Sequence, residues 1–397
     1  MKRFLRWPYH CIMNLLRWLF IFPLLILICR LLLRFIPKKF DIGMGPLPLI
    51  SYVHWAKALR KKGYTVETFV STTYFITSDF DKIFNIGWRK IFIYFPELFF
   101  IRTAALYRCV YLHFNGGPLA IVPGMRLAEP LLFKLAGVKI VVMPYGSDSQ
   151  ILDKTPNKVF VNAICNDYPA HYKANHGKLQ RQVAAWSRRA DIVIGSMDSI
   201  DYLHFWNRVR HCHFAIDTDA LTPAYPNPLP GQPVKILHAP NHKACKGSEF
   251  VFKAIEKLKS EGYEIELIFK QNVPNHEFIE IIREADIVID QLIIGWYAFF
   301  AMEAMSLGKP VICYLRPDLV KTYEDIGCIE PGEIPLISAE PSDITDVLRS
   351  LLDAPDTFQG LGQKSRRYVE KYHSLDAVGE FFDEINKSLG LKPKTGG

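Results

Sequence analysis

Two loops in the second half of the chain carry polar residues directly after segments that are typical of buried β-strands. The first follows residues 285–291, ADIVIDQ, and contains Gly295 and Tyr297 before a helix that begins near residue 298. The amides and dipole at a helix N-terminus favour phosphate, and Glu303, about one and a half turns into this helix, can accept hydrogen bonds from two ribose hydroxyls. This pattern predicts a nucleotide site. Taken alone, Glu303 would be read as a salt-bridged helix residue.

The second loop, HAPNHKACKG, spans residues 238–247 and follows the first strand expected in the second half. It holds Asn241, Lys243 and Lys246 at a strand-to-helix crossover. A departing diphosphate requires cations that offset its charge, although a solvated basic turn would have the same composition. Because two loops that suit phosphate follow strands of the same predicted sheet, we favour a diphosphate site over a solvated basic turn.

These loops belong to a regular alternation of short apolar runs and amphipathic segments that begins at residue 38. Such an alternation predicts βα units and parallel sheets. A proline-rich segment at 222–233, TPAYPNPLPGQP, interrupts it. The sequence therefore predicts two doubly wound domains, at 38–222 and 234–397, with ligands at the carboxyl ends of the strands in the cleft between them. A long closing helix, at about 357–389, is expected to pack back toward the first domain.

The composition narrows the functional class. The chain has 397 residues, of which 49% are apolar and 22% charged, and its eight cysteines show no metal-ligand spacing. This is a globular composition, and the cysteines are expected to be reduced. The net charge of +8 equals the eight Lys and Arg side chains within residues 1–40, which contain no acid. That location favours an anionic lipid surface as the partner rather than nucleic acid.

The N-terminal segment, residues 1–37, is expected to attach the protein to a membrane. Its uninterrupted apolar run, Trp18 to Cys29, has 12 residues, which is short of the roughly 20 that span a bilayer. Arg30 and Arg34 would extend the run if they snorkel to the interface. Both flanks are basic, so charge does not fix an orientation. Two interpretations remain: a single spanning anchor, or a re-entrant or interfacial helix with both ends in the cytosol.

A second candidate membrane contact is the stretch 84–100, FNIGWRKIFIYFPELFF, with seven aromatic residues in 17. Trp88, Arg89 and Lys90 would suit a headgroup layer, where aromatic and basic side chains concentrate. The alternative is a bulky core helix packed beneath a loop. The two interpretations have similar weight.

Residues 234–312 resemble the C-terminal domain of GT-B glycosyltransferases of the family-4 type, and the alternation of strands and helices over 38–390 is similar to theirs. The resemblance rests on Lys246-Gly247, on the strand at 285–291, and on EAMSLGKPVI at 303–312. It implies that Lys246 contacts the donor diphosphate and Glu303 the ribose of a nucleotide sugar. It also implies the GT-B fold, in which two Rossmann-like domains face a cleft, here preceded by a hydrophobic membrane helix.

Other positions match the family in part. Asn241 stands where many members have arginine, a charge that Lys243 would replace, and Gly295 stands where many have glutamate. The loop that contains Gly45 resembles the N-domain loop that approaches the donor phosphates. Asp148 ends a segment, Tyr-Gly-Ser-Asp, that often begins with histidine in the family.

His113 and Asp148 are expected at strand ends that face the cleft, where either would orient the acceptor. A buried core histidine and a helix-capping aspartate are the simpler interpretations of the two residues.

The resemblance implies a retaining, metal-independent hexosyltransferase. The N-terminal segment and the reduced cysteines predict that it works on the cytosolic face of the inner membrane. The co-substrate would be a UDP- or GDP-linked sugar, and the acceptor a lipid-linked or membrane-proximal glycan. Lys246 and Lys243 would stabilise the leaving diphosphate. Two alternatives remain: a sugar-nucleotide 2-epimerase, which would need no acceptor, and a non-catalytic scaffold of the same fold at the membrane.

Overall fold

Short runs rich in β-branched and aromatic residues form parallel strands, and the segments between them are mostly helical. The computed structural model describes residues 14–74, 76–229 and 231–393, apart from the side chains of residues 170–176. Parallel neighbours require crossover connections, which explains why nearly every strand is followed by a helix. The α/β class predicted from the sequence is confirmed, with two parallel sheets.

The first sheet has seven parallel strands in the order β3-β2-β1-β4-β5-β6-β7. Its central strand, β4, pairs with a neighbour on each side, and residues 109–113 of this strand are all buried. The strands are β1 (Phe40–Met44), β2 (Val66–Val70), β3 (Lys82–Ile83), β4 (Tyr107–His113), β5 (Lys139–Met143), β6 (Ile192–Gly195) and β7 (Arg208–Val209).

The second sheet has four parallel strands in the order β11-β10-β8-β9. Its strands are β8 (Val234–His238), β9 (Ile265–Phe269), β10 (Ile287–Ile289) and β11 (Val311–Ile312). The carboxyl ends of β8 and β10 meet the two loops that the sequence marks as phosphate sites. The short strands β3, β7 and β11 contain two residues each, which is too little for a sequence pattern to define.

Helices connect the strands in both halves. Those of the first half are Asn14–Leu33, Ile50–Lys61, Ile91–Tyr94, Pro96–Leu106, Met125–Leu135, Lys158–Asp167 and Pro169–Ser187. Those of the second half are Lys243–Lys246, Ser248–Ser260, Asn275–Glu284, Phe299–Ser306, Pro317–Asp325, Ile344–Leu352, Phe358–His373 and Leu375–Ser388.

The closing helical stretch is divided in two at Ser374. The backbone of Ser374 is extended, with φ −57° and ψ 157°, and its hydroxyl accepts a hydrogen bond from the amide of Ala377 at 3.2 Å. Ser374 thus caps a new helix, as serine favours, and it also forms a bridge with Ile216. The sequence predicted one helix because nothing within 357–389 breaks the amphipathic pattern.

The last helix, Leu375–Ser388, packs on Ile50–Lys61 of the first half. The hydroxyl of Tyr111 on β4 donates to Asn386 Oδ1 at 2.8 Å, and that of Tyr64 donates to Asp383 Oδ1 at 2.7 Å. The end of the chain therefore ties the second sheet's half to the first sheet.

Some residues of the aromatic stretch 84–100 match the interpretation as core packing, and others match the interpretation as an exposed contact surface. Phe84, Phe99 and Phe100 are buried in the core beneath the first sheet. Trp88, in contrast, is 76% exposed, in the single turn Gly87–Lys90. The segment thus provides core packing through some rings and an exposed apolar surface through others.

Candidate functional site

Two cavities open between the halves of the molecule, at the carboxyl ends of the strands. The smaller, of about 140 Å³, takes its lining from both halves. The larger, of about 240 Å³, is lined mainly by the second half and by two residues of the first. Ala298 lines the smaller cavity and Phe299 the larger. The cavities therefore adjoin at the N-terminus of the helix Phe299–Ser306, whose dipole favours negative charge there.

Lys246 lines the smaller cavity and forms an ion pair with Asp290, which is fully buried at the end of β10. The following residue, Gly247, has φ +72°, and a Cβ there would lie 3.1 Å from the Cβ of Leu292. Only glycine adopts this conformation without strain. Lys246 is thus held at the cleft by the tight connection that Gly247 makes between the helices Lys243–Lys246 and Ser248–Ser260.

Glu303 lines the larger cavity, on the adjoining side. One carboxylate oxygen accepts a hydrogen bond from the side-chain amide of Asn275 at 2.6 Å. Burial raises the pKa of Glu303 to about 7, and the bond from Asn275 opposes this shift. The residue is only 6% exposed, and it shares the cavity lining with the polar residues Lys270 and Gln271. Lys246 and Glu303 therefore line two adjoining cavities.

Asn241 also lines the larger cavity, whereas Lys243 lines neither. The ammonium group of Lys243 lies 5.3 Å from the centre of the Phe269 ring, a favourable cation–π arrangement. In this conformation Lys243 does not add its charge to that of Lys246.

Gly295 has φ +96°, and a Cβ at this position would lie 2.7 Å from Cγ of Arg316. A glutamate would be strained here, so the loop could not present a carboxylate as it does in many family members. Tyr297 lines the smaller cavity, but its hydroxyl is buried, 2.8 Å from that of Tyr368 and 2.9 Å from Nε2 of His373. Its ring, rather than its hydroxyl, faces the cavity.

Gly45 follows β1 at the point where the first half approaches the larger cavity. A Cβ on Gly45 would lie 2.0 Å from the carbonyl oxygen of Phe69, and its own carbonyl accepts a hydrogen bond from Tyr52 at 3.1 Å. Gly45 lines neither cavity, but Ile50, at the start of the next helix, lines the larger one. The glycine is required by packing, and the helix after it reaches the site.

Asp148 is buried and is surrounded by backbone donors. Its carboxylate accepts hydrogen bonds from the amides of Phe114 at 2.9 Å, Tyr145 at 2.9 Å and Gly146 at 3.0 Å. Burial raises its pKa to about 7 against these bonds. Asp148 thus fastens the ends of β4 and β5, and through Tyr145 and Gly146 it shapes the smaller cavity.

His113 is fully buried among aromatic rings and lines neither cavity. Its Nδ1 donates to the carbonyl of Met143 at 2.8 Å, and Nε2 has no hydrogen-bond partner. Burial lowers its pKa to about 4, which keeps the ring neutral. Trp88, Arg89 and Lys90 lie in the turn after β3 and line neither cavity either.

The structure adds residues that the sequence analysis did not select. Asp198 and Trp296 line the smaller cavity, and Lys270, Gln271 and Asn275 the larger. Asp198 follows β6, and Lys270 and Gln271 follow β9. Polar residues just after a predicted strand are the signal that would have identified these three.

Within the part of the chain that the structure describes, no group of three or more His, Cys, Asp or Glu side chains is arranged to hold a metal ion.

No protein-family profile matches the chain, and no curated protein matches it in sequence. Solved structures match in fold. Sucrose-phosphate synthase from Thermosynechococcus elongatus has a TM-score of 0.58 at 13% identity, over 89% of this chain and 99% of that one. HepE from Anabaena, in complex with UDP, has a TM-score of 0.55 at 12% identity, over 89% and 100%.

A third match is a candidate UDP-N-acetylglucosamine 2-epimerase from Listeria monocytogenes. Its TM-score is 0.51 at 13% identity, over 90% of this chain and 98% of that one. The two parallel sheets and these matches, each nearly full-length, establish the GT-B fold that the sequence predicted.

Proposed function

We propose that this protein is a membrane-associated glycosyltransferase that transfers a hexose from a nucleoside diphosphate sugar to a lipid-linked or membrane-proximal acceptor. One observation carries the proposal: a cavity with a buried carboxylate, Glu303, adjoins a second cavity that holds a lysine, Lys246, between the two halves. The first suits a nucleoside and the second its diphosphate and sugar. The donor would be UDP- or GDP-linked.

The reaction forms a bond from an acceptor hydroxyl oxygen to the anomeric carbon and breaks the bond from that carbon to the β-phosphate oxygen. The nucleoside diphosphate leaves with the bonding electron pair, and the acceptor proton passes to the leaving phosphate. Lys246 stabilises the charge that develops on this group. We further propose that the transfer retains the anomeric configuration, because the family that the sequence resembles does so.

The domains would divide this work. We propose that 234–397 holds the nucleotide sugar and that 38–222 receives the acceptor, with residues 1–37 attaching the protein to the cytosolic face of the inner membrane. One helix, Asn14–Leu33, is long and apolar enough to cross a bilayer by length and composition. Participation in glycan or polysaccharide synthesis is consistent with an acceptor at a membrane.

The fold match to a candidate 2-epimerase supports a second reaction class. The two activities separate in one assay, in which a panel of nucleotide sugars is incubated with and without membrane lipids and followed by mass spectrometry and chromatography. Transfer predicts nucleoside diphosphate release and a hexose-bearing lipid only when acceptor is present. Epimerisation predicts an isomeric nucleotide sugar without acceptor. A chain that binds no nucleotide sugar would be a scaffold, which would contradict the proposal.

Binding of the nucleoside diphosphate is expected to depend on pH through Glu303. Its pKa of about 7 means that the carboxylate, which accepts two hydroxyl hydrogen bonds, is lost as pH falls below 7. Affinity should therefore rise from about pH 6 to about pH 8. A hydrogen bond to a charged group contributes roughly 1.5–3 kcal/mol, and the ionised fraction of Glu303 changes by about tenfold over this range, so the change in affinity should approach tenfold.

Calorimetric titration with UDP and GDP across this pH range tests the prediction. Glu303→Gln preserves the shape of the side chain and should bind weakly at every pH, with a flat profile. An unchanged pH profile in Glu303→Gln would show that another group titrates and that Glu303 does not contact the ribose.

A further inference from the structure

The N-terminal helix, Asn14–Leu33, has two apolar faces with different surroundings. Its inner stripe consists of Leu25, Cys29 and Leu33, which are buried in the same hydrophobic cluster as the core beneath the first sheet. Its outer stripe contains Leu16, Phe20, Leu24, Leu27 and Leu31, all exposed. These five residues are spaced three or four apart and so share one face of the helix. An apolar face of this length is unfavourable in water and indicates a partner.

Contacts with the rest of the first domain hold the helix near both of its ends. At one end Arg17 forms an ion pair of 3.0 Å with Glu97, and Trp18 lies against Gly124, where an added Cβ would be 2.6 Å from the indole nitrogen. Beyond the other end, Lys38 donates to the carbonyl oxygens of Leu33 and Ala104. The helix is therefore part of the first domain rather than a separate arm.

This attachment determines how the helix can meet a bilayer. A helix of 20 residues is about 30 Å long at the α-helical rise, and the π-helical segments Arg17–Ile21 and Cys29–Leu33 make it slightly shorter. Its length is therefore close to the thickness of the hydrocarbon core, about 30 Å. If it stood upright, the helix Met125–Leu135 beside it would enter the hydrocarbon together with the non-helical backbone at its two ends, where Gly124 lies against Trp18 and Gly137 against Arg34. Lipid-exposed irregular backbone does not occur there, because its polar groups have no partners.

A second exposed apolar surface adjoins the helix. Ile86, Trp88, Ile91 and Tyr94 are exposed on and around the turn after β3. Glu97, three residues beyond this surface, 86–94, forms the ion pair with Arg17 near the N-terminal end of the helix. The two surfaces are thus linked through one contact on the same domain.

Basic side chains accompany both surfaces. Arg30, Arg34 and Lys39 are exposed along or just beyond the helix, and Lys90 is exposed in the turn. No acid occurs in residues 1–40. Such a combination of apolar contact and flanking cations matches a bilayer leaflet that contains anionic phospholipid, because each basic residue near that surface is attracted to the negative headgroups.

We propose that the N-terminal helix lies in the plane of one leaflet, outer stripe down, and that the surface 86–94 forms the second contact on the same leaflet. Both ends of the chain then remain on one side of the membrane. This inference deepens the membrane association proposed above and rests on it. The partner is the lipid surface itself.

Topology gives the first test. Full-length protein with one epitope tag before Met1 and another after Gly397 is expressed, and membrane vesicles of both orientations are treated with protease. The in-plane arrangement predicts that both tags are digested in the same vesicle orientation without detergent. Digestion of the two tags in opposite orientations would show a spanning helix and overturn the proposal.

Flotation of the purified full-length protein with phosphatidylcholine vesicles, with and without phosphatidylglycerol, gives the second test. Leu24 is 53% exposed and its neighbour Leu25 is 2% exposed. Leu24→Glu should reduce the bound fraction severalfold and leave thermal stability unchanged, whereas Ile326→Glu, an exposed apolar site in the second half, should bind as the parent does. Leu25→Ala should lower thermal stability instead.

A triple substitution, Trp88→Ala, Arg89→Ala and Lys90→Ala, tests the second surface. It should weaken binding to anionic vesicles by severalfold, because it removes one exposed aromatic ring and two charges. Unchanged binding of this variant and of Leu24→Glu would overturn the proposed surface. All these variants should bind nucleotide with equal affinity in calorimetry. A failure of the proposed membrane surface would therefore appear in vesicle binding alone, whereas a failure of the transferase proposal would appear in nucleotide binding.

Discussion

Replacing Lys246 by methionine is expected to weaken binding of a nucleoside diphosphate by about tenfold to a hundredfold. The lysine lines the smaller cavity and is the cation that the Lys-Gly connection holds at the cleft. A charge-assisted hydrogen bond contributes roughly 1.5–3 kcal/mol, which converts to that range of affinity. Methionine keeps the unbranched apolar stem of the side chain and removes the ammonium group. Calorimetric titration of UDP and GDP measures the change.

The same substitution has a second effect, because it leaves the fully buried carboxylate of Asp290 unpaired. Removing one partner of a buried ion pair costs about 3–5 kcal/mol. The double variant Lys246→Met with Asp290→Asn should therefore recover thermal stability without recovering affinity. Lys243→Met is the matched control, since Lys243 rests on Phe269 and lines neither cavity. Equal affinity losses at the two lysines would contradict the assignment of the diphosphate to Lys246.

The parts of the fold that the sequence predicted depend on short-range patterns. The strand β10 lies within the segment 285–291 that the sequence predicts as a buried strand, because a buried parallel strand is a continuous apolar run. Lys246-Gly247 was recognisable for a similar reason. A positive φ at a tight helix-to-helix connection allows little but glycine, so a local backbone requirement appears directly in the sequence.

The positions of Asp148 and His113 could not be read from the sequence. The carboxylate of Asp148 binds the amide of Phe114, which is 34 residues away, and the ring of His113 binds the carbonyl of Met143, 30 residues away. These partners meet only because β4 and β5 are neighbours in the sheet. A polar residue at a strand end looks the same whether it faces a ligand or fastens two loops.

The two faces of the N-terminal helix could not be distinguished from the sequence either. Its hydropathy predicts a membrane segment, but its inner stripe differs from its outer stripe only in what packs on it. Leu24 and Leu25 are identical in the sequence and have opposite surroundings. Which leucines enter the core is decided by the helices Pro96–Leu106 and Met125–Leu135, far along the chain.

Arg316→Ala is expected to lower the free energy of unfolding by about 3–5 kcal/mol, the cost of breaking a buried ion pair. The guanidinium of Arg316 is nearly fully buried and pairs with Asp201 of the first half at 2.6 Å and with Asp318 at 2.5 Å. Asp201 ends the turn Met197–Asp201, whose first three residues line the smaller cavity. Loss of the arginine leaves the largely buried carboxylate of Asp201 without its cation and removes an ion pair between the halves, so donor affinity should fall as well.

Thermal unfolding and nucleotide titration check both effects against a matched control. Arg349 also pairs with two acids, Glu261 and Asp346, but at the surface of the second half. Surface ion pairs contribute little to stability, so Arg349→Ala should unfold and bind nucleotide much as the parent does. If the two alanine variants were equally stable, the pair between Arg316 and Asp201 would not hold the halves together. The shape of the smaller cavity would then depend on the packing of Leu375–Ser388 against the first half.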